Sequence, residues 1–213
     1  DSRDAEIRWS RRDPGGVEMV EIGYYLDCEE HSPPDLIRNA RMAEEGGFSH
    51  ATIADHHPWT SAGGQSPFAG SVLGGFSQAI SRMRIVTGVT CPTVRYHPAL
   101  GAQMAATMGV MMPGRFTLAA GSGEYLNEHI YGDKWPPAPV RIETLAEAVG
   151  LIRTLWQGGM QDYHGWYYTV ENAQIFTLPE ESLPIAIASE GRSRRISAGG
   201  SETVWWTPPS TRR

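Results

Sequence analysis

The chain has 213 residues, 24 acidic against 18 basic, and a formal net charge of -6. That length suits one domain with a sizeable core. The acidic balance argues against a general nucleic-acid binder, whose affinity rests on Lys and Arg neutralising phosphates, and the local clusters Arg192, Arg194, Arg195, Arg212 and Arg213 read as solvated ends.

Residues 1 to 18 are charged and lack an apolar core segment, so they are not a signal peptide. They are expected to be a disordered leader, with Met19 as the start and residues 19–213 as the domain. Val20 to Leu26, β-branched and aromatic, reads as strand one. After the acidic loop Asp27 to Glu30, Ser32 can cap a helix. Pro33 and Pro34 fit its first turn, and Leu36, Ile37, Ala40 and Ala43 recur at helical spacing.

His50 to Ala54 reads as strand two, ending at Asp55-His56-His57-Pro58-Trp59, and a helix follows through Val72, Leu73, Phe76 and Ile80. Arg84 to Val89 is strand three, closing on Thr90-Cys91-Pro92-Thr93. His97 marks the start of a helix over 98–112, whose methionines belong to a core face. Strand four runs from Arg115 into Gly121-Ser122-Gly123-Glu124. Its glycines allow backbone N–H groups to approach a ligand closely, although they do not complete a G-x-G-x-x-G pattern.

Ile142 to Trp156 is the next helix. Alternating Trp166, Tyr168 and Val170, then Ile175 and Phe176, predict a hairpin excursion. Ile185 to Ala188 resumes a short strand, Ser193 to Ala198 can form a helix, and Val204 to Thr207 is a final strand. Strands thus recur about every thirty residues with helices between them, the βαβ pattern. An open doubly wound sheet and a TIM (β/α)8-type barrel both satisfy it. Polar groups at the carboxyl ends of four successive strands favour the barrel, where every βα loop opens onto one face. The chain supplies about five or six βα units, an incomplete barrel.

Candidate chemistry sits at those strand ends. Asp55, His56 and Trp59 place a carboxylate, an imidazole that titrates near neutrality and a broad aromatic plane within five residues. Glu29 after strand one and Glu124 with Asn127 after strand four are further polar candidates. His31, His97 and His129 form no metal-ligand spacing with the His pair, so no metal is assigned. Cys91 has no visible partner base, and Cys28 and Cys91 lie too far apart in sequence to suggest a disulfide framework or a zinc ribbon. A reducing cytoplasm fits them, and no apolar run is long enough to span a bilayer.

The stretches DHHPWT, SPF, TGVTCPTVRYHP, PGRFTLAAGSGEYLNE and YHGWYYTVENAQIF, in this order, resemble the luciferase-like flavin and deazaflavin barrel superfamily. Within it they are most similar to the deazaflavin (coenzyme F420)-dependent glucose-6-phosphate dehydrogenases. The resemblance runs from about Val20 to Thr207. It implies an oxidoreductase in which a strand-two His takes the proton from a substrate hydroxyl while hydride passes to the deazaflavin. That His is His56. The chain has one residue fewer than the family's Asp-His-x-x-Pro-Trp, which makes His57 the alternative occupant.

By the same resemblance Trp59 stacks near the reacting centre, Glu29 is an active-site carboxylate and Glu124 serves the reduced ring. Asp55 and Asn127 contact the cofactor. A non-proline cis peptide at Gly88-Val89 lies behind the ring, and Cys91 stands where a hydroxyl residue often contacts the cofactor. Ser122 and Gly123 bind its phosphate, helped by Glu190-Gly191, where the family has Gly-Gly. The resemblance also implies further strands beyond Arg213, with most of the cations that hold a sugar phosphate, and a homodimer as the assembly. An FMN-dependent monooxygenase is the alternative within the superfamily, and a truncated, non-catalytic cofactor-binding remnant is the alternative outside enzyme function.

Overall fold

The computed structural model describes residues 9–12, 18–57, 64–188 and 203–206. β1 (Trp9–Arg12), inside the expected leader, pairs antiparallel with β2 (Glu18–Glu21), which starts at the leader's last residue, as a separate two-stranded sheet. The first strand of the main sheet is β3 (Tyr24–Leu26), shorter than the apolar run foretold. At Gly23 a side chain would collide with the buried His50 imidazole, a Cβ there lying 2.2 Å from Nε2.

There follow α1 (Pro33–Glu45), β4 (His50–Ile53), α2 (Ala69–Ala79), β5 (Arg84–Thr87), α3 (Pro98–Met111) and β6 (Phe116–Ala120). After a short turn of helix, α4 (Tyr125–Glu128), and a 3-10 turn (His129–Tyr131) come α5 (Ala138–Leu155), the hairpin β7 (Gln161–His164) and β8 (Thr169–Ala173), then β9 (Ile185–Ala188) and β10 (Thr203–Trp206). The main sheet runs β10-β9-β6-β5-β4-β3, and every neighbouring pair in it is parallel. This is a partial (β/α) barrel. The helix expected over 193–198 lies outside the described residues.

Strand alternation builds the two faces of the sheet. Ile85, Phe116, Leu118, Ile185 and Ile187 point into the large core shared with the helices. Val86, Ala119 and Ala186 form a smaller cluster on the other face, with Val89 packed against it.

At α1 the cap is not the one expected. Ser32 occupies the N-cap position, but its hydroxyl donates to Asp35 Oδ2 at 2.6 Å and makes no bond to the helix backbone. The hairpin is held by one carboxylate: Glu147 of α5 accepts from the backbone N–H of Trp166, Tyr167 and Tyr168 at 2.9–3.0 Å. Gly165 permits this approach, since a Cβ there would stand 1.9 Å from Glu147 Oε1. Among the described residues, no helix is long and apolar enough to cross a membrane.

Candidate active site

Because β3, β4, β5 and β6 run parallel, the loops after them open on one end of the sheet. The loop after β3 carries Glu29, whose backbone N–H is fixed by Asp27 Oδ1 at 2.8 Å. The extension of β4 carries Asp55 and His56. His56 Nδ1 lies 2.7 Å from Glu29 Oε1, with both side chains about a quarter exposed.

A carboxylate accepts, so in the neutral imidazole Nδ1 carries the proton and Nε2 the free lone pair. Glu29 therefore orients a ring that can take a proton at Nε2. Asp55, although next to His56 in sequence, is not its partner. Asp55 is buried and its carboxylate is already occupied, accepting from Thr90 Oγ1 at 3.0 Å, Arg95 Nη1 at 2.9 Å and Tyr96 OH at 3.1 Å. His57 turns elsewhere, edge-on to Tyr131 with ring centres 5.6 Å apart. Burial, then the Arg95 cation, holds its pKa below the usual imidazole value.

The end of β5 departs from regular pairing at Gly88. The hydroxyl of Thr87 takes over, donating to Ala119 O and accepting from Ala119 N, each at 2.8 Å. The Gly88-Val89 peptide is cis, as expected. Thr90 then rejoins β6 through Thr90 N to Ala119 O at 2.8 Å and Gly121 N to Thr90 O at 2.9 Å. Gly88 has no room for a side chain, because a Cβ would fall 2.1 Å from Thr52 Cγ2.

The turn after β6 is shaped by its glycines. A Cβ on Gly121 would sit 2.6 Å from Val89 Cγ2, and Gly123 has φ +83°, with its Cβ position 2.9 Å from Cys91 Sγ. Cys91 thus supports the turn from below. Its thiol is raised chiefly by burial and lies 3.1 Å from Thr93 Oγ1, so it is no thiolate nucleophile. Ser122 is half-buried between the two glycines. Glu124, exposed, precedes α4 as its N-cap residue and accepts from Asn127 Nδ2 at 3.3 Å, while the buried Asn127 Oδ1 has no protein partner.

Trp59, Glu190 and Gly191 lie outside the described residues. Sequence reasoning missed Arg95, Tyr96 and Glu128. Glu128 is a carboxyl only 4 % exposed, raised mainly by burial, with Arg95 and the Cys91 thiol beside it. No group of three or more His, Cys, Asp or Glu able to hold a metal ion occurs among the described residues.

A parallel βα sheet with a bulged β5 end, a glycine turn after β6 and a carboxylate-bound His after β4 defines a luciferase-like barrel. The profile of the luciferase-like monooxygenase family matches residues 17–207, and the chain belongs to that family. It is 41 % identical over 181 residues to an F420-dependent glucose-6-phosphate dehydrogenase of Microbacterium testaceum, a match that covers 84 % of this chain and 54 % of the relative. An enzyme of the same name from Nocardia farcinica is 41 % identical over 175 residues, 81 % of this chain and 52 % of the relative.

Among solved structures, an F420-dependent secondary alcohol dehydrogenase in complex with an F420-acetone adduct superposes with a TM-score of 0.76 at 37 % identity. The match covers 79 % of this chain and 52 % of that one. The F420-dependent tetrahydromethanopterin reductase of Methanopyrus kandleri, at 22 % identity and TM-score 0.69, shares the fold, with 80 % and 50 % covered. The chain spans about half the length of the curated relatives it matches.

Proposed function

We propose that the protein is an F420-dependent oxidoreductase acting on an alcohol or hemiacetal carbon, a sugar phosphate among the candidates, with His56 as the proton acceptor. The observation that carries this is the 2.7 Å contact between His56 Nδ1 and Glu29 Oε1, which leaves Nε2 as the basic nitrogen. Relatives near 40 % identity carry the matching activity in their names, and the solved structure at 37 % identity holds the coenzyme as an adduct.

The described residues fit the coenzyme. The turn presents bare backbone at Gly121 and Gly123, whose Cβ positions are taken up by Val89 and Cys91, and the buried Asn127 Oδ1 has no protein partner. Ser122, Gly123 and Asn127 would hold the group, and the deazaflavin, when bound, accepts hydride. Its place against Trp59, Glu190 and Gly191 follows from the resemblance alone. His56 removes the hydroxyl proton, Glu29 stabilises the imidazolium that results, and Glu124 offers a second carboxylate at the turn.

Cys28 and Cys91, both buried and free, are compatible with a cytoplasmic location, and a homodimer is the proposed assembly. Fluorescence titration of the full-length protein with F420 and with FMN tests the cofactor. Loss of deazaflavin absorbance with glucose 6-phosphate or a secondary alcohol tests the reaction. Tighter binding of FMN, with oxygen consumed by the reduced flavin, would replace this function by the monooxygenase alternative. Binding without any turnover would leave the non-catalytic one.

A further inference from the structure

Arg95 lies in the turn between Cys91 and α3, and its side chain is only 3 % exposed. A cation removed from water to that degree costs free energy unless its donors are well used. Nη1 donates to Asp55 Oδ1 at 2.9 Å and also to the Asp55 backbone carbonyl. That carbonyl is half of the peptide joining Asp55 to His56, so the guanidinium grips the link from which the imidazole projects. Glu29 fixes the ring at its other end. Beyond Arg95 stand Glu128 and Tyr131, both close enough to interact with it, and both belong to the segment that follows the glycine turn.

We propose that Arg95 is a positioning residue which clamps the Asp55-His56 peptide and so sets the aim of His56 at the substrate. The inference rests on the proposed role of His56 as base. An apolar side chain of equal reach would fill the space without the desolvation cost, but it could not donate to a carbonyl. Tyr96 supplies an internal comparison, because its hydroxyl donates to the Asp55 side chain, at Oδ1 and 3.1 Å, where Arg95 reaches the peptide as well.

The test uses the full-length protein with F420 and an alcohol substrate, comparing Arg95→Met, Arg95→Lys and Tyr96→Phe. Misaiming a base by about an ångström costs on the order of 10²-fold in rate. Arg95→Met is expected to lose about that factor in kcat, with KM and F420 affinity within about threefold. Arg95→Lys, which keeps a cation and donors, recovers about tenfold of the loss.

Hydrogen exchange of residues 54–57 gives a readout independent of turnover. It quickens in Arg95→Met, partly reverts in Arg95→Lys and stays unchanged in Tyr96→Phe. If Arg95→Met does not fold, Arg95→Lys against wild type decides, and a lowered kcat with quicker exchange supports the clamp. The proposal is overturned if exchange and kcat are untouched, if the loss falls on KM or cofactor affinity, or if Tyr96→Phe matches Arg95→Met. A wild type inactive on every alcohol would defeat the proposed function, while the exchange data would still decide on the clamp.

Discussion

Glu29 and His56, 27 positions apart in the chain, meet at 2.7 Å because β3 and β4 are parallel neighbours whose carboxyl ends lie side by side. The pairing separates the two adjacent histidines. His56 is held by a carboxylate with one nitrogen turned away, whereas His57 packs on Tyr131. His56→Ala is therefore expected to lower kcat by about 10²–10⁴-fold with F420 affinity nearly unchanged. Glu29→Gln should cost about 10–10²-fold, since an amide still bonds the ring but cannot stabilise the imidazolium. His57→Ala should change kcat by less than about threefold, well below the loss of a general base. Steady-state kinetics on the three variants checks this, and a large loss confined to His57→Ala would move the base to His57.

The glycine turn makes a second expectation. At Gly121 an added methyl meets Val89 Cγ2 at 2.6 Å, so turn or valine must shift. Either movement alters the proposed cofactor cradle while leaving the large core on the other side of the sheet untouched. Gly121→Ala is expected to weaken F420 binding by about tenfold or more, equivalent to about 1.4 kcal/mol, with little change in melting temperature. Fluorescence titration beside thermal melts separates the two effects. Undiminished affinity would show that the coenzyme does not use this turn.

Glu128 gives a pH-dependent expectation. Burial raises its pKa above the usual carboxylate value, Asp55 adds to the rise, and Arg95, Cys91 and His56 oppose it. A carboxyl raised on folding binds its proton more tightly in the native state. Its stabilising contribution is complete below the unfolded pKa and is lost as pH rises through the folded one. The Glu128 contribution to stability should accordingly fall as pH increases above about 4.5, while His57, whose pKa is lowered on folding, contributes a slope of the opposite sign that is common to wild type and variant. Glu128→Gln, which cannot ionise, should lose the falling contribution. Thermal melts of both proteins across this range read the difference, and parallel slopes would show that Glu128 does not titrate there.

Much of the architecture was legible because helices and strands differ in apolar period, and because glycines and prolines punctuate them. The hairpin after α5 was expected from the alternation of Trp166, Tyr168 and Val170, of which Val170 lies in β8 while Trp166 and Tyr168 fall in the connection between the strands. The partners within the site were not. Asp55 sits next to His56 in sequence, yet the strand turns successive side chains to opposite sides and delivers Asp55 to Thr90, Arg95 and Tyr96. Arg95 lies in a stretch that reads as the approach to a helix, and nothing local signals that its guanidinium is buried. Glu128 looks like an ordinary helix charge until Gly123 and Cys91 close over it. One signal was available: an Arg-Tyr pair four and five residues after Cys91, between two segments assigned to the core, is an uncommon place for a cation.

The last expectation concerns self-association. Between α2 and α3 runs an apolar groove of about 350 Å³, lined by Phe68, Leu100, Met104, Met108 and Met111 among others, with no charged residue in its lining. Phe68 is 54 % and Leu100 52 % exposed. Two chains of net charge -6 repel, so an uncharged face is where copies can approach most closely. A two-fold pair would bury the same patch from both sides. Sedimentation of the protein at micromolar concentration should show a dimer. Leu100→Glu with Met111→Glu should shift it to monomer by placing like charges opposite each other across the axis. A monomeric wild type would rule out the dimer. A dimer indifferent to both substitutions would transfer the contact elsewhere.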